Sequence, residues 1–214
     1  MIKFFDLYKQ DKPLLNFFLK DFKSLLKKND YILGESVNKF EMEFSKFCNC
    51  KYSIGVANGT DALTLALKAL NLKEGSEVII PAMTYCSTAF AVINANLKPV
   101  LVDIESNSPL IAVDKIKKKI NSKTKVIMPV HLYGSVVNID KIKKIIKKKS
   151  IFLIDDCSQA HGAIYNHKNK KKNVGSLADI SCFSLYPGKN LGAYGDAGII
   201  TTNSKKFYKI IKNL

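Results

Sequence analysis

Lys189 stands apart from the other basic residues of this chain. Most lysines fall in polar runs, such as Lys117-Lys118-Lys119, Lys147-Lys148-Lys149 and Lys170-Lys171-Lys172. Lys189 instead lies in Ser184-Leu185-Tyr186-Pro187-Gly188-Lys189-Asn190-Leu191-Gly192-Ala193-Tyr194-Gly195-Asp196-Ala197-Gly198, among glycines and aromatics and directly after an apolar stretch. An amine in a semi-apolar crevice can condense with a carbonyl to a Schiff base. Two further segments carry chemistry. Asp155-Asp156 closes a run of four apolar residues. Asp156 there can hold a protonated ring nitrogen by a charge-assisted hydrogen bond, or it can cap a following helix. Asn58-Gly59-Thr60-Asp61-Ala62 opens a stretch rich in Ala and Leu. The first amides of a helix point outward without partners, which suits a phosphate. An ordinary N-cap by Thr60 or Asp61 accounts for the same pattern.

These groups need elements to position them. Leu14, Leu15, Phe18, Phe22, Leu25 and Leu26 recur at helical spacing over 14–27, and Asn29-Asp30 breaks the pattern. Val37, Phe40, Phe44 and Phe47 predict a second helix, and 61–70 a third. Short apolar runs then alternate with helical patterns. Strands are predicted at 77–80 (stopped by Pro81), 99–103, 125–130 and 151–156, with helices near 87–95, 113–120 and 138–148. A β-α-β-α order means a mostly parallel sheet covered by helices. Ligands of such sheets bind at the carboxyl ends of the strands. Chemistry is therefore expected at the polar strand tails Thr84-Tyr85, His131, Asp156 and Ser184. Residues 205–214 read as a helix that has just begun, with no capping glycine after it.

Composition narrows the function class. A chain of 214 residues fits one large domain, or one domain plus an arm. No apolar run is long enough to span a membrane. Met1-Ile2-Lys3-Phe4-Phe5-Asp6 lacks the apolar core of a secretory signal, so a cytoplasmic protein is expected. The formal charge is +16, from 34 basic and 18 acidic residues. The lysines are spread along the chain without a zinc-finger spacing or another nucleic-acid motif, so they read as solvated faces and neither nucleic acid nor membrane is expected as a partner. Cys48, Cys50, Cys86, Cys157 and Cys182 are odd in number and lack metal spacing, which points to reduced thiols and no metal site.

A pyridoxal-phosphate site needs a lysine, an acid on the pyridine nitrogen, donors for the phosphate and a group covering the ring. The chain offers Lys189, Asp156, the set Gly59, Thr60 and Ser184, and Tyr85, all at turns or strand ends.

At this point the chain resembles the DegT/DnrJ/StrS family of nucleotide-sugar aminotransferases. The likeness rests on Tyr31-Ile32-Leu33-Gly34, Phe40-Glu41, Asn58-Gly59-Thr60-Asp61-Ala62-Leu63 and Pro81-Ala82-Met83-Thr84-Tyr85. It continues through Pro129-Val130-His131-Leu132-Tyr133-Gly134, Asp155-Asp156-Cys157-Ser158-Gln159-Ala160-His161-Gly162 and the Lys189 segment. The resemblance implies the α/β fold of type I pyridoxal-phosphate transferases, with a mostly parallel seven-stranded sheet between helices. It implies an arm and helix over 1–30 and a cofactor-binding large domain over 31–214. Family members continue into a C-terminal small domain, which is expected to be absent here. The implied roles are Lys189 as covalent anchor, Asp156 on the pyridine nitrogen and Gln159 on the ring hydroxyl. Gly59, Thr60 and Ser184 would bind phosphate, and Tyr85 would stack on the ring. His131 and His161 are expected behind these groups or in purely structural roles. The implied reaction transfers an amino group from an amino acid, expected to be glutamate, to a keto sugar of a nucleotide-linked deoxyhexose, in a homodimer. The Lys189 segment looks most like members acting on dTDP-linked 3-keto-6-deoxyhexoses. Members that dehydrate sugars carry histidine in place of this lysine, so lysine favours transamination. The competing readings are a dehydratase relative, a cofactor-binding but catalytically incomplete protein, and a basic nucleic-acid-binding module.

Overall fold

The structure is a computed structural model that describes residues 6–167 and 170–214. The start of the N-terminal segment, residues 1–5, lies outside the described residues, as do Lys168, Asn169 and the side chains of His167 and Lys170.

The chain begins with α1 (Leu7–Asp11), a short 3-10 turn (Lys12–Leu14) and α2 (Leu15–Lys28). Neither helix has a buried residue. Then follow α3 (Glu35–Phe47), β1 (Tyr52–Val56), α4 (Gly59–Lys68), β2 (Glu77–Pro81), α5 (Ser87–Asn94), β3 (Lys98–Val102), α6 (Val113–Lys119) and β4 (Thr124–Ile127). The second half holds α7 (Ile139–Ile146), β5 (Phe152–Asp156), β6 (Ile164–His167), β7 (Lys170–Asn173), β8 (Ile180–Ser184), β9 (Gly198–Thr202) and α8 (Lys205–Asn213). The expected α/β class holds. Sequence reasoning did not find β1, β9 or the β6–β7 hairpin, whose second strand is largely the Lys170-Lys171-Lys172 run.

One sheet of seven strands, in the order β1-β9-β8-β5-β4-β2-β3, forms the middle layer. Only β9 runs against its neighbours; the remaining pairings are parallel. Successive side chains of a strand point to opposite faces, and here both faces are dry. Ile79, Ile127, Leu153, Phe183 and Ile199 point into one core, shared with Phe44 of α3, Ile116 of α6 and Ile142 of α7. Their chain neighbours Ile80, Val126, Ile154, Cys182 and Ile200 point into the other, shared with Leu63 of α4, Val92 of α5 and Ile211 of α8. This two-sided burial is why β2, β4 and β5 read as unbroken apolar runs.

Polar ties hold the outer elements. Glu41 of α3 is buried, accepts the Gly55 N–H at 2.8 Å and pairs with Lys212 of α8 at 3.2 Å. One carboxylate thus joins α3, β1 and α8. Replacing Glu41 with Ala leaves a β1 amide unpaired and is expected to cost about 2–3 kcal/mol. Lys115→Ala, which breaks the exposed 2.6 Å pair with Asp103, is expected to cost less than about 1 kcal/mol. Urea titration of both variants checks the ranking, and equal losses refute it.

His161, in the turn between β5 and β6, lies on the Phe183 ring with centroids 5.3 Å apart. Burial first, and then the charge of Lys189, push its imidazole from 6.5 down to about 4. An unfolded chain takes up this proton near pH 6.5 and the folded chain only near 4. The contribution to stability is therefore complete above pH 6.5 and is lost as pH falls toward 4. Urea midpoints measured across that window should fall more steeply for the wild type than for His161→Leu; parallel curves would remove the burial argument.

Candidate functional site

A cavity of about 690 Å³ opens beyond the carboxyl ends of β2, β5 and β8. Its walls contain all seven residues singled out from sequence: Gly59, Thr60, Tyr85, Asp156, Gln159, Ser184 and Lys189. The sheet order explains the convergence. The chain leaves β2 toward the β3 edge but leaves β4 toward β5. Such a reversal of direction leaves a crevice at the strand ends.

Three elements meet on one wall. The N-terminus of α4 lies directly on the end of β8. A Cβ added at Gly59 would come within 2.6 Å of Ser184 Cβ, so this approach needs glycine. The helix cap is Asn58, whose side chain accepts the Asp61 N–H at 2.8 Å. Thr60 and Asp61 are not the cap, contrary to the simpler reading of this segment. Gly59 and Thr60 occupy the first turn, where helix amides have no intrahelical acceptor. The Thr60 hydroxyl donates to Ser87 Oγ at 2.8 Å and so joins the start of α4 to the start of α5.

Asp156 ends β5 and is buried, yet it borders the cavity. The Thr88 hydroxyl of α5 donates to its Oδ2 at 3.0 Å, and the Ser158 N–H donates to its Oδ1 at 3.1 Å. No helix follows Asp156, so the alternative of a helix cap falls. The Ser158 contact is a short Asx turn instead. A carboxylate tied at both oxygens presents its remaining lone pairs in a fixed direction. Thr88 in turn shares a 2.8 Å hydrogen bond with Thr84. Sequence reasoning missed Ser87 and Thr88. Two hydroxyl residues side by side at a helix start, two positions after Tyr85, were the available signal.

The other walls come from loops. Gln159 accepts the Tyr133 N–H on its Oε1 at 2.9 Å, which leaves its amide N–H groups free to donate. Tyr85 stands at the mouth with its ring exposed. Lys189 sits in a turn closed by its own N–H on the Tyr186 carbonyl at 2.8 Å. It also borders a second cavity of about 560 Å³, shared with Gln159, Tyr133 and His161. His131, expected at the strand tails, is not on the site cavity. It is wholly buried on the other side of the sheet.

An amine, a fixed carboxylate and a helix start therefore face one space large enough for a substituted pyridine ring and its phosphate. Comparison with known proteins identifies the family. A family model described as the DegT/DnrJ/EryC1/StrS aminotransferase family matches residues 14–214. A dTDP-3-amino-3,6-dideoxy-alpha-D-galactopyranose transaminase from Aneurinibacillus thermoaerophilus is 47% identical over 203 residues, which is 95% of this chain and 55% of that protein. The crystal structure of DesV from S. venezuelae superposes with a TM-score of 0.94 at 32% identity, over 100% of this chain and 56% of that one. NtdA from Bacillus subtilis, solved with bound cofactor PMP, gives 0.89 at 30% identity, over 98% and 47%. The chain spans about half the length of the relatives it matches. With a family model matching residues 14–214, nearly its whole length, the chain belongs to the DegT/DnrJ/EryC1/StrS aminotransferase family.

Proposed function

We propose that this chain forms the cofactor-holding part of a pyridoxal-phosphate aminotransferase that acts on a nucleotide-linked keto sugar, with glutamate as amino donor. The observation that carries the reading is the single cavity that gathers Lys189, Asp156 and the start of α4. The donor set fits the cofactor group by group. Bound there, pyridoxal phosphate supplies an electron sink for a carbanion at the donor carbon. Lys189 is the residue that would hold the cofactor covalently, and its Nζ, within the same cavity, would serve as the base that moves the proton at the donor carbon. Asp156 accepts the hydrogen of the protonated pyridine nitrogen, and Thr88 and Ser158 keep it aimed there. The Gly59 and Thr60 amides and the Ser184 hydroxyl take the phosphate at the positive end of α4. Gln159 donates to the ring hydroxyl, and Tyr85 closes over the ring.

We read residues 31–214 as the cofactor-binding unit and 1–30 as an arm. The keto sugar is best read as a dTDP-linked 3-keto-6-deoxyhexose, in line with the product named for the 47% identical relative. A lysine rather than a histidine at position 189 favours transamination over dehydration. A second copy of the chain is the expected partner. The arm helix α2 carries exposed Phe17, Leu19 and Phe22, and an apolar groove of about 700 Å³ is lined by Tyr31, Ile32 and Leu33. Apolar surface of this kind asks for a cover. Five unpaired cysteines suit the reducing cytoplasm. No helix among the described residues is long and apolar enough to cross a membrane.

Two measurements test the reading. Borohydride reduction in the presence of pyridoxal phosphate, followed by digestion and mass spectrometry, should place the cofactor on Lys189. Lys189→Ala should lose that adduct but keep noncovalent binding through the phosphate. Adducts scattered over surface lysines and absent from Lys189 would defeat the assignment. Asp156→Asn should leave the fold intact and slow the half-reaction with glutamate by about 10- to 100-fold, the worth of one charged hydrogen bond. A full rate in that variant would take the pyridine role away from Asp156.

A further inference from the structure

Asp155 and Asp156 are chain neighbours on β5, so their side chains leave the sheet on opposite faces. Asp156 turns to the cavity. Asp155 is wholly buried on the far side, and neither of its oxygens accepts a hydrogen bond from a described residue. A buried carboxylate without a partner is costly. The group that answers it is His131, also wholly buried, with Nε2 at 3.5 Å from Asp155 Oδ2. The Val137 N–H donates to His131 Nδ1 at 3.2 Å, which puts the ring proton on Nε2, facing the carboxylate.

The backbone around the pair continues the sheet past the end of β4. The His131 N–H donates to the Asp156 carbonyl at 2.9 Å, and the Asp156 N–H donates to the Pro129 carbonyl at 2.9 Å. Val130 and Asp156 form an isolated parallel bridge. Side chain and backbone of His131 thus grip the same two residues of β5, one through each. A metal reading of the neighbouring His131, Asp155 and Cys157 atoms, which lie within 4.8 Å of one another, is weak. The cluster offers only three donors among the described residues, and burial, with Asp155 and Asp156 adding to it, pushes the Cys157 thiol well up.

We propose that His131 and Asp155 are a positioning pair that clamps residues 129–131 to the end of β5 and so sets the direction of the Asp156 carboxylate. Neither residue touches the cavity. The inference rests on the reading of Asp156 as the partner of the cofactor's ring nitrogen, and it deepens that reading.

The test uses the full chain and two variants. His131→Phe/Asp155→Asn removes the ring nitrogens and the buried charge together, so no orphaned carboxylate is left to unfold the protein. Asp155→Asn alone keeps an acceptor for the Nε2 proton. Hydrogen exchange of the cofactor-free chain reads the clamp directly. The double variant should lose about tenfold protection at the His131 and Asp156 amides, with β2 and β8 unchanged. It should also bind pyridoxal phosphate about tenfold more weakly, with a displaced visible absorption band. Asp155→Asn should stay near the wild type in both. Wild-type exchange and affinity in the double variant would overturn the proposal. So would a loss of protection spread equally over β2 and β8, or an Asp155→Asn variant as impaired as the double one. A wild-type chain that takes up no pyridoxal phosphate refutes the reading of the cavity instead, and hydrogen exchange then decides the clamp on its own.

Discussion

The alternation of side chains at the end of β5 is the constraint on which the rest depends. Leu153 and Asp155 face one core side, Ile154 and Asp156 the other. A one-residue slip of β5 would exchange the two carboxylates and bury the wrong one. The register is pinned on both flanks, by the pairing of Ile154, Asp155 and Asp156 with β8 and by Val126 and Ile127 of β4. The apolar residues before the aspartates reinforce it, because each must find its own core. The position of a polar group in the site is thus enforced by the burial of apolar groups a few residues away.

The same economy governs the other wall. Helix α4 packs on β8 and β9 through Ala62, Leu63 and Ala66, which are small or well fitted to the sheet. That packing brings the helix start so close to the strand end that Gly59 has no room for a side chain. Exposed helix amides and a strand-end hydroxyl then lie side by side. The exposure of these donors follows from a packing distance, and the Asn58 cap accepts the Asp61 N–H without filling the space.

The chemical residues were legible in sequence to an unequal degree. Lys189 and Asp156 were visible because each breaks a local pattern, a lone amine among glycines and a carboxylate ending an apolar run. The strands β2, β4 and β5 were visible because burial on both faces makes them uniformly apolar. Strands β1 and β9 were not. Their buried hydroxyls look like loop residues until the acceptors are known. Ser53 donates to the Glu41 carbonyl, Thr201 to Gly175 at 2.6 Å and Thr202 to Asp179 at 2.7 Å. Such acceptors are distant in the chain and cannot be read locally. Thr88 escaped for the same reason, since its partner lies 68 positions away. His131 was sought at the cavity because it follows β4, but the chain turns there and carries its ring behind the sheet.

The loop bearing Lys189 needs support that the sheet alone does not give, because it runs outside the core. Its base is anchored by backbone bonds from Leu185 to Ala197 and from Ala193 to Leu185, each 2.8 Å. Its outer side is held by the arm. Tyr194 donates to Asp11 at 3.1 Å, and its ring meets Phe18 edge-on at 5.2 Å. An edge-on aromatic pair is worth about 1 kcal/mol, and the exposed hydrogen bond adds little. The arm helices contribute no buried residue of their own. These two contacts are therefore weak next to the apolar face that α2 leaves uncovered. Tyr194 is thus the side chain that links the arm to the loop carrying the amine.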